Sequence, residues 1–169
     1  FSDYKQNIRF VDARYPGSNH DSHIWNVSTL KQHLDQNLPT NTWILGDAGY
    51  PLGRNIMTPF RNTVDGSPQR NYNKIHAKAR NSVERTIGVL KSKFRCLLSA
   101  RGLHYAPEKA MQIVNDCCAL HNISQHFKVQ FPDTILSTDN QQEPTPEENN
   151  SASNGEAETI RNNIMRSLQ

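Results

Sequence analysis

The segment ILGDAGYP, Ile44 to Pro51, runs a short apolar strand straight into an acid and then into a small-residue turn. Asp47 admits two readings. Aspartate is a common turn former, because its side chain bonds backbone amides just ahead of it. A carboxylate at the carboxyl end of a strand is also where open α/β sheets collect their ligands. With only Ala48 and Gly49 directly after it, such a carboxylate suits a hard divalent cation, Mg²⁺ or Mn²⁺, whose oxygen shell a nucleic-acid phosphate can complete.

Outward from this segment the elements alternate. Upstream, Asn7 to Tyr15 (NIRFVDARY) has the β-branched and aromatic density of a strand and stops at Pro16-Gly17. Asp21 or Ser22 can cap a helix reaching about Leu34, with Ile24, Val27, Leu30 and Leu34 along one face. Thr42 to Leu45 reads as a strand, Ile56 to Phe60 as a shorter extended piece, and Arg61 to Gln69 as a polar loop. The longest periodic stretch runs from about Asn71 to Leu98, where Val83, Ile87, Leu90, Phe94 and Leu97 form one helical stripe. Pro107 opens a last helix, with Ala110, Ile113, Val114, Cys117, Leu120 and Ile123 apolar. This order predicts a mixed α/β layer fold. No apolar run approaches the roughly 20 residues of a bilayer span, so no membrane association is expected.

A net charge of +3 conceals a strong asymmetry. Arg70 to Arg101 carries nine Lys or Arg against one acid, Glu84, whereas Pro132 to Gln169 carries seven acids against Arg161 and Arg166. The acidic stretch is rich in Asn, Gln, Ser and Pro, and cannot bury enough apolar surface to offset its chain entropy. Two regions follow: a folded basic domain over 1–131 and an acidic, mostly disordered tail over 132–169. Disorder is expected from Ser137 to about Glu158, with Ile160, Ile164 and Leu168 able to form only a short, weak helix.

Glu84 is the one acid of the basic helix. Alone, it reads as a solvated ion-pair partner worth a few tenths of a kcal/mol. Gly88, one turn further on, lowers helix stability by roughly 1 kcal/mol, which suggests a close approach to the helix at that point. Asp21 is a good helix cap; His20 and His23 flank it, but lack the further ligands of a zinc site. Cys117 and His121 stand four apart with Cys118 beside them, and read as packing rather than metal binding. Three cysteines, two adjacent, make a poor disulfide framework and fit a reducing compartment.

The motifs DARYPGSNHDSHIW, ILGDAGYPL, MTPF, HAKARNSVERTIGVLKSKFRCL and CCALHNI, in this order from about Arg9 to Ile123, resemble the nuclease domain of PIF/Harbinger-type transposases and the nucleases derived from them. The resemblance implies a ribonuclease-H-like mixed sheet flanked by helices, with a DDE metal centre acting on DNA through Mg²⁺ or Mn²⁺. Asp47 of GDAGY matches the second catalytic acid of that pattern and Glu84 of SVERTIG the third; Asp21 of HDS falls on a further acid of the metal site. The first catalytic Asp of the family lies on an earlier strand that nothing here matches. The chain, which opens at Phe1, is thus expected to lack amino-terminal strands, to be poorly soluble or molten, and to be inactive unless Asp3 or Asp12 supplies the ligand. Lys74, Lys78, Arg80, Lys91 and Arg95 are the expected DNA-backbone contacts, with Arg85 and Lys93 as weaker cases. The family further implies a separate Myb/SANT-like DNA-binding partner and a nuclear location, with the cytoplasm as a second compartment. The rival to a DNA endonuclease is a catalytically silent, DNA- or protein-binding remnant of the transposase fold.

Overall fold

The computed structural model describes residues 1–15, 21–98, 105–129 and 155–169. Its elements, in order, are α1 (Asp21–Val27), α2 (Thr29–Asn37), β1 (Ile44–Leu45), β2 (Ile56–Met57), α3 (Pro68–Lys93), a 3₁₀ turn (Arg95–Leu97), α4 (Pro107–His126) and α5 (Gly155–Ser167). The result is a mixed, helix-rich α/β arrangement with one small parallel sheet among the described residues. The chain divides into two compact units: Phe1–Pro16 with Asn81–Gln142, and Gly17–Arg80 with Glu143–Gln169.

In the second unit, Ser28 interrupts the single helix that the apolar spacing suggested. Its hydroxyl accepts from the Lys31 amide at 3.1 Å and donates to the Trp25 carbonyl at 2.8 Å. A buried serine thus ends one helix and caps the next. The bend lets Trp25 and Leu34 pack against Ile56, with Leu30, Leu38, Ile44 and Tyr50 around them. Each such buried side chain contributes about 1.5–3 kcal/mol. β1 and β2 pair in parallel, Ile44 with Ile56 and Leu45 with Met57. Gly46 is required beside this pairing: a Cβ there would lie 2.9 Å from Ile56 Cδ1 and 3.0 Å from Tyr50 Cβ.

Helix α3 starts two residues before the expected loop ends. The Ser67 hydroxyl accepts from the Arg70 amide at 3.2 Å, and Pro68, whose missing amide costs nothing in the first turn, opens the helix. Three residues one turn apart each engage a different point of the preceding chain. Tyr72 lies edge-on to Phe60, with ring centroids 5.2 Å apart. His76 Nε2 is 3.2 Å from the Met57 carbonyl; a carbonyl only accepts, so Nε2 carries the proton. Arg80 reaches Asp47.

The tail departs from expectation at its end. Residues 155–158, expected within the disordered stretch, belong to α5, and the helix is docked rather than weak. Ala157 is wholly buried, and Arg161 stacks over Phe60 with its guanidinium carbon 4.0 Å from the ring centre. Arg161 Nη1 also donates to the Pro59 carbonyl at 3.3 Å. An arginine thus supplies apolar stem and charged face together, which an acidic composition hides. The remainder of the expected disorder, 137–154, lies outside the described residues.

In the first unit, Leu90, Cys117 and Cys118 form the core, with Ile8, Phe94, Leu97, Ile113 and Val114 against it. Leu90, Phe94 and Leu97 of the expected α3 stripe are thus in this core, but Ile87 is 46% exposed while Thr86 is 2% exposed. Thr86 can go inside because its hydroxyl donates to the Ser82 carbonyl of its own helix at 2.7 Å. On α4 the inner face is Cys117, Cys118, His121 and Ser124, and Leu120 and Ile123 point outward. The expected strand over Asn7–Tyr15 is not a strand. Among residues 1–15 there is one isolated antiparallel bridge, Ser2 with Ile8. A side chain takes the place of the missing ladder: Asn122 Oδ1 accepts from the Ile8 amide and Asn122 Nδ2 donates to the Ile8 carbonyl, both at 2.8 Å.

Candidate active site

Asp47 follows β1 through Gly46, whose amide donates to the Met57 carbonyl at 2.9 Å and so extends the parallel pairing to the edge of the turn. The chain then reverses, with the Tyr50 amide donating to the Asp47 carbonyl at 3.2 Å. Asp47 Oδ1 accepts from the Gly49 amide at 2.9 Å, and Oδ2 accepts from Arg80 Nη2 at 3.3 Å. The acid forms the turn, and the same turn presents its carboxylate at the carboxyl end of β1. The side chain retains 36% exposure, and that of Arg80 23%. Arg61 Nη2 reaches the Ala48 carbonyl at 3.4 Å on the same turn.

His76 stands one turn before Arg80 and is buried. Burial lowers its pKa, the Met57 carbonyl opposes that, the Arg80 charge lowers it further and the Asp47 charge raises it. The imidazole is thus neutral near pH 7 and pins α3 to β2, which aims Arg80 at Asp47. Arg80, one of the expected DNA-backbone contacts, pairs with an acid 33 positions earlier, a pairing without local signal. His76 was missed altogether; its spacing of four from both Tyr72 and Arg80 was the available clue.

Glu84 lies one turn beyond Arg80 on α3, exposed, in the first unit, whereas Asp47 lies in the second. Among the described residues, and apart from its chain neighbours and its own helix backbone, nothing stands within 4 Å of where a Gly88 Cβ would be. The backbone of Asp21 begins α1, but its side chain, like His20, lies outside the described residues. Lys74, Lys78, Arg85 and Arg95 are exposed and Lys91 half-buried. Lys93 donates to Ser124 Oγ at 2.8 Å, and burial lowers its pKa.

Asp3 and Asp12 are both committed locally. Asp3 accepts from the amides of Lys5 and Asn7 and from Arg9. Desolvation would raise its pKa, but these donors, chiefly Asn7, hold it down to about 2. Asp12 pairs with Arg14 at 2.7 Å. Near α4, burial and the neighbouring Cys96 thiol push Cys117 up to about 11, so it is protonated at neutral pH. His121, with Nε2 2.8 Å from the Gln6 carbonyl, packs in the core as expected. Among the described residues, no three His, Cys, Asp or Glu side chains group closely enough to hold a metal ion. The donors at the Asp47 turn are nonetheless of the type a hard divalent ion requires: carboxylate oxygen, one atom steered by a backbone amide, open to solvent.

Residues 1–122 match the family model described as DDE superfamily endonuclease. The chain belongs to that family, in the Harbinger transposase-derived branch. It is 31% identical over 165 residues to "Putative nuclease HARBI1" of Homo sapiens, covering 96% of this chain and 47% of that protein. It is 34% identical over 123 residues to the Mus musculus protein of the same name, covering 72% of this chain and 35% of that protein. "Protein ALP1-like" of Arabidopsis thaliana is 28% identical over 133 residues, covering 69% of this chain and 32% of that protein. The chain thus spans at most about half the length of these relatives. No solved structure matches it. Among the described residues, no helix is long and apolar enough to cross a membrane.

Proposed function

We propose that the chain carries part of the catalytic centre of a divalent-metal-dependent DNA endonuclease with a ribonuclease-H-like fold. Asp47 and Glu84 serve as metal-binding carboxylates and Asp21 as a further ligand. The observation that carries this reading is the Asp47 turn: β1 delivers the acid to a strand end, and the Gly49 amide steers one oxygen while the side chain stays accessible. Two divalent ions, when bound, would supply the Lewis acid that activates water and stabilises the leaving oxygen. The chain's own residues do the rest. Asp47 and Glu84 provide negative oxygen donors. Lys74, Lys78, Lys91 and Arg95 along and just after α3 bind backbone phosphate without reading sequence. Sequence choice then falls to a separate Myb/SANT-like DNA-binding protein, and the working compartment is the nucleus.

Titration with Mn²⁺, followed by its electron paramagnetic resonance signal, tests the carboxylates. Asp47→Asn and Glu84→Gln should each weaken binding at least about tenfold, since each removes a charged oxygen ligand. Replacing Lys78, Lys91 and Arg95 with Ala should flatten the salt dependence of duplex-DNA affinity by about three units on a log–log plot. Salt-dependent DNA binding with Mn²⁺ affinity indifferent to both carboxylate changes would point to a silent remnant instead.

A further inference from the structure

Each oxygen of the Asp47 carboxylate already accepts one bond before any cation arrives. Its Oδ1 holds the Gly49 amide at 2.9 Å, a contact built into the turn, and its Oδ2 holds Arg80 at 3.3 Å. A divalent ion ligated at either oxygen is bound beside one of these donors, and at Oδ2 the guanidinium charge opposes it. The amide cannot move without unwinding the turn that the Tyr50 amide also closes. The guanidinium is the longer contact, sits on a flexible stem, and is partly exposed. Arg80 is also held to its task from below. One turn back, His76 is buried and bonded to the Met57 carbonyl, and Met57 is the β2 partner of Leu45, two residues before Asp47. Strand, histidine and arginine therefore fix where the carboxylate points.

We infer that Arg80 is a positioning residue that competes with the divalent ion: it holds the Asp47 carboxylate in its ligating orientation while the metal is absent and yields Oδ2 to the ion on binding. This rests on the reading of Asp47 as a metal ligand. Two opposed consequences follow. The ion pair lowers the apparent metal affinity, because a cation at Oδ2 must work against the guanidinium charge or displace it. The same pair stabilises the metal-free protein, so its removal is felt only without metal.

Mn²⁺ titration and thermal melting of the full chain, with Arg80→Gln, Arg80→Lys and Asp47→Asn, decide the matter. Arg80→Gln should bind Mn²⁺ about two- to fivefold more tightly, the factor a partly exposed ion pair is worth. It should melt below the parent without metal, and the difference should shrink at saturating Mn²⁺. Arg80→Lys, which keeps the charge, should lie between the two; it takes over the test if Arg80→Gln does not melt cooperatively. Unchanged or weakened Mn²⁺ binding in Arg80→Gln, while Asp47→Asn abolishes it, overturns the competition and leaves the metal-ligand reading intact. Mn²⁺ binding that survives Asp47→Asn removes that reading, and the inference with it.

Discussion

The two units use the same device to attach an extended segment to a helix. In the first, Asn122 on α4 accepts from the Ile8 amide and donates to the Ile8 carbonyl, both at 2.8 Å. In the second, Asn73 on α3 does the same to Phe60 at 2.8 and 2.9 Å. A carboxamide carries one acceptor and two donors, so it stands in for the peptide group of a neighbouring strand. The difference lies in chain distance: 114 positions separate the partners in the first unit and 13 in the second. Closing the longer loop costs about 2 kcal/mol more in chain entropy. The first unit offsets that cost with a wholly buried His121 bonded to Gln6 and with Ile8 packed on Leu90 and the two cysteines. The second has a shorter closure, and Arg161 seals it from outside. Similar local geometry thus stands on different supports.

The largest expected effect breaks the clamps directly. Asn122→Ala should destabilise by about 3 kcal/mol and Asn73→Ala by about 2, because each strips two bonds from a half-buried backbone and Asn122 holds the longer closure. Urea unfolding measures both, and amide exchange at Ile8 and Phe60 shows which segment is released. Equal losses would mean that chain distance does not matter.

Next comes Arg161→Ala, which removes the stacked cation and its carbonyl contacts from the Phe60 side and should cost about 1–2 kcal/mol. It sharpens the comparison in combination. If Arg161 supports the Asn73 clamp, the double variant should lose more than the sum of the single losses. Simple additivity would show that α5 merely rests there. Limited proteolysis should find α5 released in Arg161→Ala.

The smallest effect is on pH dependence. Burial lowers both His121 and His76 from the ordinary value of 6.5, although a carbonyl bond raises each. As pH falls through about 6.5 the unfolded chain takes up protons first, so stability present above that value declines until the depressed folded pKa is reached. His121 has Lys93 lowering it further, whereas His76 has Asp47 to oppose Arg80. The urea midpoint should therefore fall between pH 7.5 and 5.5, and His121→Gln should flatten that fall more than His76→Gln. Equal flattening would deny the distinction.

Much of this was legible in the residues. Pro107 marked the start of α4, the apolar period placed α3 within a few residues of its observed bounds, and Asp47 was identified as an acid at a strand end. These are properties of neighbouring residues: a proline's fixed φ, a repeat near 3.6, an apolar pair followed by a turn former. The same local signals misread Asn7–Tyr15, because β-branched density records what could pair and not whether a partner exists. They also missed Ser28, where one hydroxyl outweighed a continuous apolar face by satisfying the ends of two helices.

Local residue chemistry accounts for the order of the helices, the strand-end acid, the basic helix with one carboxylate, and the motifs that place the chain in its family. Long-range folding makes two asparagines serve as strand partners, draws Arg161 at the end of an acidic tail onto Phe60, and turns Arg80 toward an acid. Helix period and turn chemistry are set within a few bonds of each residue. A polar side chain's partner is chosen by whichever donor or acceptor the folded chain brings within 3 Å or so, and that depends on closures tens of residues long.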